Sequence, residues 1–371
     1  MPVSLSVLLF TGAAAVSLGT SYLLVTRLER IGQRLGLSEA LLGMVAAVAA
    51  NAPEITSAVT ALIHHQGKIG AGVIIGSNVF NLAALLGLGA VVAGQLALHR
   101  KVVLLGGVVA GWIALVCLVT VLGLIPAAAG LAAVLAMLLP YVAVLSLGGA
   151  RLRRPRHRPV VRRAAAWLAV AVTEEEQELE EAIHPRRGHG IDALLAAAAL
   201  VIVVLASVLM EQEASWLGSH FGIPEIVTGG VVLAAVTSLP NAVAAVYLAA
   251  RGRGAAMLST TLNSNALNVA VGLLLPAVIT GLGSPSPEVT LIAAWYLVLT
   301  LAALGFAYRN RGVRRATGGF IIGCYLVFLG SLLATARSDA PSLSLTVVPL
   351  LTVVVVTCAA LARRPRHHDR S

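Results

Sequence analysis

This sequence has little charge: Asp, Glu, Lys and Arg make up 11% of 371 residues, against 58% hydrophobic. A soluble domain carries about twice that charged fraction, so a chain folded around a core in water is excluded. Aromatic residues are scarce as well, at 4%. Packing must therefore rest on Ala, Gly, Val and Leu, which suits close helix contacts in lipid. Cys117, Cys324 and Cys358 are the only cysteines, each alone in an apolar block. That spacing excludes a disulfide framework or a zinc site and leaves them as small hydrophobes. No His-Glu-x-x-His occurs, and His64 and His65 stand at the end of an apolar block, an interfacial position. Without a nucleophile–base pair or metal set, an enzyme is not expected, nor any resident cofactor.

What is present is a series of apolar blocks, each long enough to cross a hydrocarbon core of ~30 Å. The reading is an all-α polytopic membrane protein of eleven spans, at about 4–26, 38–64, 68–98, 102–124, 126–149, 191–210, 224–250, 254–281, 288–308, 316–336 and 343–362. The first charge, Arg27, follows the first block, as in an uncleaved leading span. With the N-terminus outside, the inner connections hold 24 of the 26 Lys and Arg, all but Lys68 and Arg337. Such asymmetry fits the positive-inside rule. The net charge of +10 then faces anionic lipid, so the partner is the bilayer and not nucleic acid. The division that follows is a first half at 1–150, a basic and acidic cytoplasmic loop at 151–190, and a second half at 191–336. An extra span at 343–362 and a basic tail at 363–371 complete it. The loop runs from a basic stretch through a short apolar piece at Trp167 to the acidic stretch Glu174–Glu181, and reads as a solvated or surface-lying helix. Short loops suit a prokaryotic inner membrane. The oligomeric state is not legible.

The halves repeat each other. Gly43, Pro53, Ser77, Asn78 and Asn81 recur as Gly230, Pro240, Ser264, Asn265 and Asn268, all at one ungapped offset of 187. Five spans separate the copies, so the second enters from the opposite face and the repeat is inverted. Pro53 and Pro240 break their helices, because proline lacks an N–H and displaces the carbonyl four residues back. Freed carbonyls in hydrocarbon need partners, and a bound cation is one. Paired broken helices in inverted halves point to a midplane binding site.

Glu54 is the one carboxylate deep inside a span; Glu39, Asp192, Glu225 and Glu288 lie near span ends. Placing an ionisable group at mid-membrane costs at least ~2.5–3.5 kcal/mol, which marks it as functional. Around Glu54 the repeats supply Asn51, Ser77, Asn78 and Asn81 from one half, and Thr237, Ser238, Asn241, Ser264, Asn265 and Asn268 from the other. These are hard oxygen donors of the kind small cations prefer, with Glu54, Asn81, Asn241 and Asn268 as the expected metal ligands. A passive channel would need a continuous polar path, whereas these residues cluster at one depth.

Pro53-Glu54 with Gly76-Ser77-Asn78-x-x-Asn81, repeated as Ser238-Leu239-Pro240 with Ser264-Asn265-x-x-Asn268, resembles the two α-repeats of the sodium/calcium exchanger superfamily. The resemblance implies two inverted five-helix halves whose repeats face each other at the ion sites. It also implies that the first and sixth spans, rich in small residues at Gly12–Ala15 and Ala196–Ala199, slide across them; the eleventh span is an addition. The sequence departs from calcium-carrying members in placing Asn241 where they have an acid, Asn268 where several have Asp, and Ala50-Asn51 for a Thr-Ser pair. One carboxylate balances one Na⁺ or H⁺ better than Ca²⁺, so the expected activity is Na⁺/H⁺-type or other monovalent antiport. The alternative is Na⁺/Ca²⁺ or H⁺/Ca²⁺ exchange of weakened calcium affinity.

Overall fold

Apolar blocks become helices here because hydrocarbon offers a backbone N–H or C=O no partner except another backbone group. The computed structural model describes residues 2–37, 39–152, 166–173, 189–337 and 343–362. In the first half, α1 (Val3–Arg34) leads to α2 (Glu39–Ala50), α3 (Ala52–Ile63) and α4 (Gly67–Ala93). Then follow β1 (Gln95–Ala97), α5 (Arg100–Val121) and α6 (Ala127–Leu152). The second half opens with α7 (Gly190–His220), α8 (Glu225–Thr237), α9 (Leu239–Ala250) and α10 (Gly254–Thr280). It continues as α11 (Pro287–Asn310), β2 (Gly312–Arg314) and α12 (Arg315–Arg337), with α13 (Leu343–Ala362) packed on α11 and α12.

Among the described residues, eight helices are long and apolar enough to cross a membrane, or up to ten if each of two bent pairs forms one span. The bent pairs are α2–α3, turning 51° at Asn51, and α8–α9, turning 47° at Ser238. The eleventh expected span, α13, carries a shorter apolar stretch, Val348–Leu361. The basic run at 153–163, the acidic run Glu174–Glu181 and the tail at 363–371 lie outside the described residues. Residues 166–173 between those runs are helical, with Ala169 and Val172 buried in the main core.

Three boundaries differ from the sequence reading: the first span was expected to end at residue 26, but α1 runs on to Arg34. The third span was expected to reach residue 98, but α4 stops at Ala93, where Gly94 takes φ +80°. The next residues form β1, paired antiparallel with β2. The sixth was expected to end at residue 210, yet α7 runs ten residues further. Glu211 and Glu213, whose charge closes an apolar window, are 1% and 8% exposed there, so protein rather than lipid covers them.

Each bent pair packs on the polar helix of the opposite half: α8 on α4, and α2–α3 on α10. The α4–α8 crossing is made by glycines. A Cβ built on Gly72 would lie 2.9 Å from the Gly230 nitrogen, and one on Gly76 would collide with the Gly230 carbonyl. Small residues here let two backbones touch. α1 lies along α7, fastened by a Ser17–Ser207 hydroxyl contact of 3.1 Å and an Arg27–Asp192 ion pair of 2.8 Å. Lys68 pairs with Glu288 at the opposite end of the bundle from this ion pair.

Candidate cation site

The site is built where the two bent pairs break. Pro53 sits in the first turn of α3 and Pro240 in that of α9, positions where a helix has no use for the missing N–H. The carbonyl freed by Pro53 belongs to Ala49, and the Ser21 hydroxyl of α1 donates to it at 3.4 Å. The sequence reading offered that carbonyl to a cation; in the structure a serine takes it. The breaks aim Glu54 and Asn241, each one residue past its proline, at one another: Asn241 Nδ2 donates to Glu54 Oε1 at 3.1 Å. Ser238 Oγ donates to the same oxygen at 3.1 Å, and Asn241 Nδ2 also reaches Asn51 Oδ1 at 2.8 Å.

Beside them, α4 and α10 exchange amide hydrogen bonds in near-perfect inversion. Asn78 Nδ2 donates to the Asn265 carbonyl and Asn265 Nδ2 to the Asn78 carbonyl, both at 3.1 Å. One turn on, Asn81 Nδ2 donates to Asn265 Oδ1 at 3.0 Å and Asn268 Nδ2 to Asn78 Oδ1 at 3.1 Å. Ser264 closes the group, its hydroxyl donating to Asn51 Oδ1 at 2.7 Å. In both repeats the helix widens into a π segment at this point, Leu82–Leu88 and Asn268–Leu274, a distortion common near functional sites.

All eleven predicted site residues are buried, none more than 1% exposed. Nine of them join one hydrogen-bonded cluster. Ser77 and Thr237 stand aside, with Ser77 Oγ on the Ala234 carbonyl and Thr237 Oγ1 on the Leu233 carbonyl of its own helix. Four oxygens of the cluster have no hydrogen-bond partner: Glu54 Oε2, Asn81 Oδ1, Asn241 Oδ1 and Asn268 Oδ1. No group of three or more His, Cys, Asp and Glu with metal-binding geometry occurs among the described residues. The site is therefore one carboxyl among neutral oxygens. Sequence reasoning missed Glu211 of α7, buried with both carboxyl oxygens unpaired. Its spacing of four from Ser207 was the available signal.

Inverted halves, each with a helix broken at a proline and meeting across a water-excluded oxygen cluster, define a polytopic membrane protein of the inverted-repeat transporter class. The family model described as "Sodium/calcium exchanger protein" matches the chain twice, over residues 5–147 and 192–334. Each bound of the second match lies 187 residues beyond that of the first, which is the offset of the motifs. The chain belongs to this family, whose members are exchangers and not enzymes. It is 27% identical over 313 residues to "Inner membrane protein YrbG" of Escherichia coli K12, covering 80% of this chain and 87% of that one. A 135-residue stretch is 29% identical to "Sodium/potassium/calcium exchanger 2" of Gallus gallus, covering 34% of this chain and 21% of that one. Among solved structures, the H⁺/Ca²⁺ exchanger CAX superposes with a TM-score of 0.69 at 14% identity, covering 96% of this chain and 87% of that one. The sodium-calcium exchanger NCX_Mj gives 0.54 at 19% identity, covering 89% and 99%. At these identities the two structures speak for the fold.

Proposed function

We propose that the chain is a secondary active antiporter that exchanges Ca²⁺ for Na⁺ or H⁺ by alternating access at the cluster around Glu54. The observation that carries this reading is the set of four buried oxygens without partners, on Glu54, Asn81, Asn241 and Asn268. A buried polar atom left unsatisfied costs about 1–3 kcal/mol, more if charged. A hard cation that accepts these oxygens as ligands removes that cost, and Ca²⁺ takes six to eight such donors. The relatives named above as H⁺/Ca²⁺, sodium-calcium and sodium/potassium/calcium exchangers favour calcium over the monovalent preference drawn from charge alone. The excess of Lys and Arg in alternate connections supports an N-terminus outside an inner membrane and a C-terminus inside it.

One observation favours a second reading, Na⁺/H⁺ exchange: Asn241 brings an amide, not a second carboxylate, against Glu54. Uptake of radioactive calcium into vesicles under an outward Na⁺ or H⁺ gradient separates the two. Calcium uptake supports the first reading; Na⁺ uptake against H⁺ without any calcium flux supports the second. Under the first, Asn241→Glu supplies the missing charge and lowers the calcium Kd at least ~10-fold, as one unit charge at contact distance allows. Calcium binding weaker than in the parent protein counts against it.

Alternating access requires α1 and α7 to move as one body against the bent pairs, since Ser17–Ser207 and Arg27–Asp192 fasten them at two levels. A Ser17→Cys/Ser207→Cys disulfide, made in a background without Cys117, Cys324 and Cys358, should therefore leave exchange intact. Exchange arrested by oxidation and restored by reduction would show instead that the two helices separate.

A further inference from the structure

A polar stripe leaves the Glu54 cluster along the α3–α7 contact. On α7, Ser207, Glu211 and Ser215 are spaced by four residues and share one helix face. Contacts with the α3 side fix that face at both its ends. The Ser57 hydroxyl, one turn past Glu54, donates to the Ser207 carbonyl at 3.4 Å, and Gln66 Nε2 donates to Ser215 Oγ at 2.9 Å. Glu211 therefore lies between them, on the way from Glu54 to the end of the bundle that carries Lys68. It is 1% exposed and neither carboxyl oxygen has a partner. Gln66 Oε1, next along the stripe, is unpaired as well.

We infer that Glu211 is the proton site of the exchange, a second carboxyl that takes up and releases H⁺ as the counter-ion of the cation held at Glu54. This rests on the antiporter reading above and names its counter-ion. The donor set selects the occupant. A metal ion needs several oxygens, and among the described residues Glu211 belongs to no group of three or more His, Cys, Asp and Glu side chains able to hold one, whereas a proton needs only one. An uncompensated carboxylate in such surroundings is costly, so the group is neutral unless its proton can leave. Among the described residues, the elements packed against it bring no Lys or Arg to replace that proton. The elements packed on this part of α7 are α1, α3 and α8. α1 has no charged side chain before Arg27, and Arg27 with Arg30 pairs with Asp192 at the far end of α7. α3 brings Glu54 and, past its end, His64 and His65; α8 brings Glu225; α7 itself adds Glu213 and His220. The chemistry is one O–H bond made and one broken per cycle, with the proton moving opposite to the cation.

The test reconstitutes the full chain in vesicles with a trapped pH dye and drives exchange with a Ca²⁺ gradient and, in parallel, a Na⁺ gradient. Wild type should move protons against the cation, at a rate that depends on pH. Glu211→Gln, which mimics the protonated group, should bind the cation as wild type does while proton flux per cation falls to background and the pH dependence flattens. Glu211→Asp should restore both, with a displaced midpoint. An unchanged proton-to-cation ratio and pH profile in Glu211→Gln overturns the proposal, as does wild-type exchange without proton movement. Glu54→Gln separates this inference from the one beneath it: cation binding that survives in Glu54→Gln refutes the Glu54 site itself, whatever Glu211 does.

Discussion

Replacing Glu54 with Gln lowers cation affinity about a thousand-fold and stops exchange. The substitution keeps the shape of the side chain and an oxygen for Ser238 and Asn241 to donate to, so the cluster stays assembled. What disappears is the one negative charge among neutral oxygens. At an effective dielectric of ~20, a unit charge 4 Å from a monovalent ion is worth about 4 kcal/mol, and twice that for a divalent one. Each 1.4 kcal/mol is a factor of ten, so a thousand-fold loss is the lower figure. Calorimetric titration of the purified protein with Ca²⁺ and with Na⁺ reads the effect directly, with elution volume as the check on folding. Wild-type affinity in this variant would remove Glu54 from the site.

Gly76→Leu prevents the two halves from docking. A Cβ at this position meets the Gly230 carbonyl, and the reciprocal Cβ on Gly229 meets the Ile69 carbonyl. The obstacle is backbone on both sides, so no rotamer relieves it. Over-packing against side chains already costs about 1–3 kcal/mol, and here α4 must separate from α8. That separation carries Asn78 and Asn81 away from Ser238 and Asn241, so cation binding falls with stability. The expected result is aggregated or much less heat-stable protein in detergent. Gly323→Leu is the control: a Cβ there has nothing within 4 Å, and the variant should behave as the parent does. Equal stability of the two variants would mean that the glycine crossing does not hold the halves together.

The site was legible in the sequence because inversion leaves a signature that burial does not erase. Asn78 and Asn265, 187 residues apart, give each other the same hydrogen bond in the structure, as do Asn81 and Asn268 through their partners. The kinks at Pro53 and Pro240 were legible for the same reason. The destination of the Ala49 carbonyl was not, since Ser21 belongs to a helix outside the repeat motif. Hydropathy also misplaced the end of α7: a window counts Glu211 and Glu213 as charges facing lipid, whereas tertiary packing covers both. Likewise β1 and β2 pair over three residues each, with 214 residues of chain between Ala97 and Gly312, and no local pattern reports a contact of that range. The ion preference read from charge, monovalent over divalent, gains no support from the named relatives, and Asn241 remains the residue on which that question turns.

Uptake of radioactive calcium into sealed vesicles containing only this protein and lipid tests the central claim most directly. With an outward Na⁺ or H⁺ gradient, calcium should accumulate above its external concentration, and collapse of the gradient should release it. Calcium that merely equilibrates at the same rate with or without a counter-gradient would contradict coupled exchange of the cation held at Glu54.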